Sequence, residues 1–391
     1  MRNLFHRTSI LVLRIVALLV LSSATKSSGA HLCAAELTAA DIRTIQQALD
    51  AGQLDDARKA LSQTESHDSL ELRYLRARLD RGSGTQPAPD LIQLIEKPAD
   101  VEVRYAVLHP SARQIVFLCR DGSLRVLNLT RKGSEPKIVK DDNGSAVYRG
   151  QFSADGKRFL SGHENGKVIV RDTTDWTVVT TVPVAEGWPV RELAVSPEGT
   201  SFVAENREGL DLWVLTPEPK KIVQLAKRLN FGEGLAFSPK GDVIATGGMF
   251  DITLHDATTG AVLKTMQHAS YTMGLEFSPD GQRIASAPRG NVNKFLAVFD
   301  IAQQAQLFNA GPFGNYIAGM AFTPEGTRIL ATGCEKQVRI VDSTTGEIRL
   351  SIPRPECSTS PGILRDGSLF GWSEPSGFVY VDLREVTEEQ N

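Results

Sequence analysis

The chain has 391 residues, 41% hydrophobic and 23% charged, with a formal net charge of -3. That balance fits a soluble globular protein, and it excludes the basic excess with which a nucleic-acid-binding domain neutralises phosphates. Length alone leaves the domain number open, because a large β fold can run on as one unit.

The first residues, "MRNLFHRTSILVLR", carry three arginines and no acid, and the apolar run "IVALLVL" and small polar residues follow. This is the layout of a secretory signal peptide. The block from Ile10 to Leu21 is interrupted by Arg14 and falls short of the ~20 residues that cross a bilayer. Residues 1–30 are therefore expected to be removed, after Ala24 or after Ala30, leaving no transmembrane span in a mature periplasmic or extracellular chain. Export permits disulfides, and the four cysteines, Cys33, Cys119, Cys334 and Cys357, show no CxxC spacing for zinc or redox chemistry.

Residues 36–80 read as an α-helical hairpin region, with Ile42, Ile45, Leu49, Leu54, Ala57 and Leu61 at helical spacing and a break at Gly52. The run "SLELRYLRARLD" adds a further amphipathic segment. "RGSGTQPAP", residues 81–89, has the Gly, Ser and Pro content of a linker.

From there one turn recurs. "SADG", "SPEG", "SPKG", "SPDG", "TPEG" and "LRDG" end at Gly156, Gly199, Gly241, Gly281, Gly326 and Gly367, spaced by 43, 42, 40, 45 and 41 residues. A weaker copy, "HPSA", ends at Ala112, 44 residues before Gly156. Each turn joins two short strands, and a third strand follows that ends in Asp172, Asp256, Asp300, Asp342 or Asp382. The turns "DATTG" and "DSTTG" then lead to a fourth. Four antiparallel strands in about 42 residues make one propeller blade, so residues 90–385 are expected to form a seven-bladed β-propeller of four-stranded blades.

These turns and Asp-terminated strands resemble the WD-repeat β-propeller family. The name-giving dipeptide is absent: Arg171, His255, Phe299, Val341 or Val381 precedes the Asp, never Trp. The helical segment before the ring is weakly similar to a tetratricopeptide motif. The seventh copy ends at "FVYVDL" without a confident fourth strand, and "LIQLIEK", Leu91 to Lys97, is expected to supply it and close the ring.

The resemblance implies a protein-binding or scaffolding module, monomeric, with no cofactor, whose partner meets the face carrying the fourth-to-first and second-to-third loops. Large aromatics precede the turn's Ser or Thr by seven or eight residues: Trp188, Phe231, Tyr271 and Tyr316. Phe313 lies nearby, and Arg191, Phe250 and Arg289 are assigned to the same candidate face, since aromatics and Arg anchor interfaces. No catalytic or metal-binding set is legible. The alternative is a propeller enzyme or small-ligand binder with polar groups at the mouth of the central channel. Cys334 and Cys357 follow the second and fourth strands of the sixth copy and emerge on one face. Either a disulfide joins them or both stay reduced.

Overall fold

A computed structural model describes residues 39–64, 69–80, 92–131, 133–140, 144–227, 234–268, 271–288 and 295–383. The expected signal peptide, Cys33, linker 81–89, Phe231 and Arg289 lie outside the described residues.

The repeated turn is held by the residues that repeat. The amides of Gly156, Gly199, Gly241, Gly281 and Gly326 donate to the carbonyl of the residue opening each turn, at 2.8–2.9 Å. These glycines have φ between +69° and +76°, the left-handed region that a Cβ disfavours. The opening hydroxyls of Ser153, Ser196, Ser238, Ser278 and Thr323 are buried. Each accepts from an amide at the start of the next strand, at 2.9–3.1 Å. A buried polar group needs such a partner, which is why Ser or Thr recurs there. The prolines reach sideways: a Cβ on Gly241, Gly281 or Gly326 would lie 3.1, 3.6 or 3.3 Å from the Cδ of Pro197, Pro239 or Pro279 in the preceding turn.

Seven four-stranded antiparallel sheets result. Their innermost strands are β2 (Val103–Leu108), β6 (Val147–Phe152), β10 (Leu193–Val195), β14 (Leu235–Phe237), β18 (Thr272–Phe277), β22 (Ile317–Phe322) and β26 (Thr359–Ile363). Each touches the next, and β26 touches β2, so they enclose an axial channel. The third strands end at the expected aspartates, whose carboxylates turn back on the following amides: Asp256 accepts from Thr258 and Thr259, Asp342 from Thr344 and Thr345. Where the family's Trp would stand, Arg171 donates to Ser161 Oγ at 3.1 Å and His255 Nε2 lies 3.0 Å from Thr246 Oγ1, while Phe299, Val341 and Val381 are buried apolar groups.

The ring closes through the N-terminal strand. β1 (Ile92–Glu96) pairs antiparallel with β28 (Gly377–Asp382), Ile92 opposite Val381 and Glu96 opposite Gly377, and completes the last blade as its outer strand. The core lies between neighbouring sheets; one cluster joins Leu160, Val168 and Val182 of the second blade to Leu193 and Phe202 of the third.

Among the described residues, three helices precede the ring: α1 (Ala39–Asp50), α2 (Leu54–Ser62) and α3 (Leu70–Asp80). They bury Ile42, Ile45, Leu49, Ala57, Leu61, Leu72 and Leu75. α1 packs on β25 (Ile348–Pro353), the outer strand of the sixth blade, whose Leu350 and Ile352 are buried, and Gln46 Nε2 donates to the Ser351 carbonyl at 2.8 Å. Helices and blades belong to one compact unit, Thr38–Asn391; the other unit, Met1–Leu37, falls outside the described residues.

Candidate functional site

Since strands alternate in direction, the fourth-to-first and second-to-third loops open on one face, and the Ser/Thr-to-Gly turns on the other. On the loop face, the sector of the first three blades gathers two arginines and two aromatic rings. The Arg104 guanidinium, from β2, stands 3.5 Å over the centre of the Tyr148 ring, from β6. Arg191, just before β10, lies 6.0 Å from the same ring and 5.8 Å from the Trp188 ring. These are cation–π distances. Arg191 is exposed, and Trp188, Tyr148 and Arg104 are partly buried. The loop presenting Trp188 is tied down: Val184 and Ala185 donate to the Gly166 carbonyl, Trp188 to Ala185, and Val190 to His163.

One residue further along each inner strand, Arg149 and Glu192 face each other at 3.9 Å, and the Tyr105 hydroxyl accepts from the Gly150 amide at 3.3 Å. Burial pushes the Tyr105 phenol above its ordinary value.

The sixth blade holds a second group. Cys334 and Cys357 are joined in a disulfide, and the Tyr316 hydroxyl donates to Cys334 Sγ at 3.2 Å. Phe313 corrects the expected face: it is buried in a cluster with Ala285, Leu296 and Ile317, and Arg339 covers it at 4.8 Å. Its ring anchors a loop and leaves no surface for a partner. On the fourth blade, Met249 and Phe250 are 52% and 60% exposed and form an apolar tip. Tyr271, directly before β18, is partly buried.

The structure thus brings Trp188 to Arg191 and Tyr316 to the disulfide, but does not join these groups to one another. Arg104 and Tyr148 were not singled out from the sequence. The signal that could have found them is positional, since both stand five residues before the residue that opens their turn, as does Arg191.

The histidines of the repeats are internal. His163 lies 2.9 Å from Ser161 Oγ and from the Ser145 carbonyl, and His268 lies 3.0 Å from Ser286 Oγ. Burial holds His109 and His255 below the ordinary imidazole value. Among the described residues, no group of three His, Cys, Asp or Glu side chains is placed to hold a metal ion, and no helix is long and apolar enough to cross a membrane.

No protein-family model matches the sequence. The chain is 22% identical over 205 residues to the U3 small nucleolar RNA-associated protein 4 homolog of Mus musculus, covering 49% of this chain and 29% of that protein. It is 24% identical over 232 residues to the Periodic tryptophan protein 2 homolog of Dictyostelium discoideum, covering 56% of this chain and 24% of that protein. The matched stretches therefore span less than a third of either curated relative. Among solved structures, the β-propeller domain of Cps50 (Swd1) from Myceliophteria thermophila superposes with a TM-score of 0.61 at 13% identity, covering 75% of this chain and all of that domain. With seven four-stranded blades in its ring, the chain is a β-propeller, similar in its repeats to WD-repeat proteins.

Proposed function

We propose that the mature chain is an exported scaffold that binds a protein partner through the loop face of its ring. The observation that carries this reading is the convergence of Arg104, Tyr148, Arg191 and Trp188 at the channel mouth. Aromatic and Arg side chains held by a rigid frame present contact area at low entropic cost, as interface anchors do. The mechanism is recognition by a preformed surface whose loops carry specificity. The exposed Phe250 tip offers a second apolar contact on the same face. Export is supported by the layout of residues 1–30 and by the Cys334–Cys357 bond, since disulfides persist in oxidising compartments.

The test is a pull-down from the exported fraction with wild type and a Tyr148→Ala/Trp188→Ala/Arg191→Ala variant. Loss of specific partners in the variant is expected, and equal recovery by both proteins removes this face. Sequencing the N-terminus of the exported protein checks the processing, which should begin after Ala24 or Ala30.

A further inference from the structure

The opposite face, where the Ser/Thr-to-Gly turns lie, carries carboxylates and cations together, with Lys157 and Arg365 beside Asp155 and Arg73 and Arg113 beside Asp366. Asp155, Glu198, Asp280, Glu325 and Asp366 occupy the third position of five turns, against Lys240 and Ser111 in the other two. Burial raises the carboxyls of Asp155, Asp280 and Asp366, but the Ser hydroxyls and backbone amides they accept from, with the nearby cations Lys157 and Arg365, Arg283, and Arg113 and Arg73 respectively, outweigh it and hold all three below the usual carboxylate range. They stay ionised through neutral pH.

Behind these turns stands Glu276, on β18, two residues ahead of Ser278. At ~3.3 Å per residue that is about 7 Å inside the mouth. The innermost strand is covered by neighbouring blades, so its partial exposure at Glu276 opens onto the channel. The matching positions of the adjoining blades are Ala236 and Ala321, and a Cβ on Gly274 would meet only Met320 Cε, at 3.6 Å. The Glu276 carboxyl takes no hydrogen bond or ion pair from any described residue.

We propose that this end of the channel is a subsite for a cationic side chain, a lysine or arginine of a protein partner approaching the turn face, with Glu276 as its counter-ion. The depth suits the stem of such a side chain, which buries its methylenes along the Ala- and Gly-lined wall and carries its charge to the carboxylate. Without a partner, burial pushes the Glu276 carboxyl up to about 8. At neutral pH it is therefore mostly protonated. An arriving cation favours the ionised form, so the carboxyl gives its proton to the solvent and accepts a charge-assisted hydrogen bond instead.

Among the described residues, no other charged side chain stands at this level of the innermost strands. β14 and β22 carry no titratable side chain, and Arg283 on β19 (Arg283–Pro288) is engaged by Ser343 and the Gly326 carbonyl. Arg149 and Glu192 pair with each other two residues nearer the loop face, on the second and third blades. The subsite is independent of the Trp188 and Arg191 surface.

The test uses the whole mature chain, carbon-13-labelled at glutamate and titrated with acetyl-Gly-Arg-Gly-amide and with the same peptide carrying citrulline, the neutral isostere. The arginine peptide should move the Glu276 carboxyl resonance toward its ionised position and release about one proton at pH 7. Its affinity should rise about tenfold with each unit of increase in pH up to about 8, the slope of a one-proton linkage. Citrulline should do neither. Glu276→Gln keeps the shape of the neutral acid and should fold normally while losing the preference for arginine. Equal binding of the two peptides, no binding at millimolar peptide, or undiminished arginine binding by Glu276→Gln overturns the proposal.

Discussion

Arg328 clasps the buried carboxylate of Glu71, Nε to Oε1 at 2.9 Å and Nη2 to Oε1 at 2.9 Å, and so ties α3 to the sixth blade across 257 residues of chain. Its Nη1 reaches Asp342 at 2.9 Å, and Arg349 Nε approaches Glu71 at 3.5 Å. Glu71 is fully buried, so removing it leaves two arginines without their shared anion. Glu71→Ala should cost about 3–5 kcal/mol, as breaking a buried pair does, measured by chemical denaturation. Protease cleavage within residues 39–80 should appear in that variant before the blades are cut.

The β1–β28 pairing makes closure depend on a segment that precedes the first blade. Deleting residues 90–98 exposes the edge of β28 and removes an entire outer strand. Thermal unfolding of the ring should then drop by ~10 °C or more, on the scale of several kcal/mol in a protein of this size. An unchanged melting temperature would count against the strand as a structural clasp.

Local chemistry was legible and distant chemistry was not. The Ser/Thr, Pro and Gly of the turns act within five residues of themselves, so their spacing alone ruled off the blades. β1 was legible for a different reason: a sheet lacking a strand and an orphan apolar run define each other. Phe313 looked like a surface aromatic because the residues that bury it, Ala285, Leu296 and Ile317, come from two different blades. Glu71 looked like the polar side of an amphipathic helix, since its two arginines lie more than 250 residues further on. Arg104 and Tyr148 belong to separate copies, and only their common position in the repeat brings them together.

Glu276 gives the fold a pH dependence of defined sign. Its native value of about 8 lies above the ordinary glutamate value of 4.5, so the folded protein keeps a proton that the unfolded chain has already lost. Its contribution is complete below the unfolded value and declines as pH rises toward about 8, a loss bounded at roughly 5 kcal/mol. Denaturation midpoints at pH 5 and pH 8 check this: wild type should lose more stability than Glu276→Gln over that interval.

The Cys334–Cys357 bond closes a loop of 23 residues in the sixth blade. By the entropy of loop closure, reduction should destabilise the protein by about 3 kcal/mol. Denaturant melts with and without reductant measure this. Mass spectrometry of unreduced peptides should find the two cysteines linked and buried Cys119 free.

The prolines of the turns have a wider meaning for how such a ring could grow. Pro197 touches the turn of Gly241, Pro239 that of Gly281, and Pro279 that of Gly326, so each copy carries both halves of one joint. A duplicated blade placed between any of these would carry the same Pro-to-Gly joint to both of its neighbours. Interchangeable parts on the turn face leave the loop face free to diverge, and there Trp188, Phe250 and Tyr316 already differ from copy to copy.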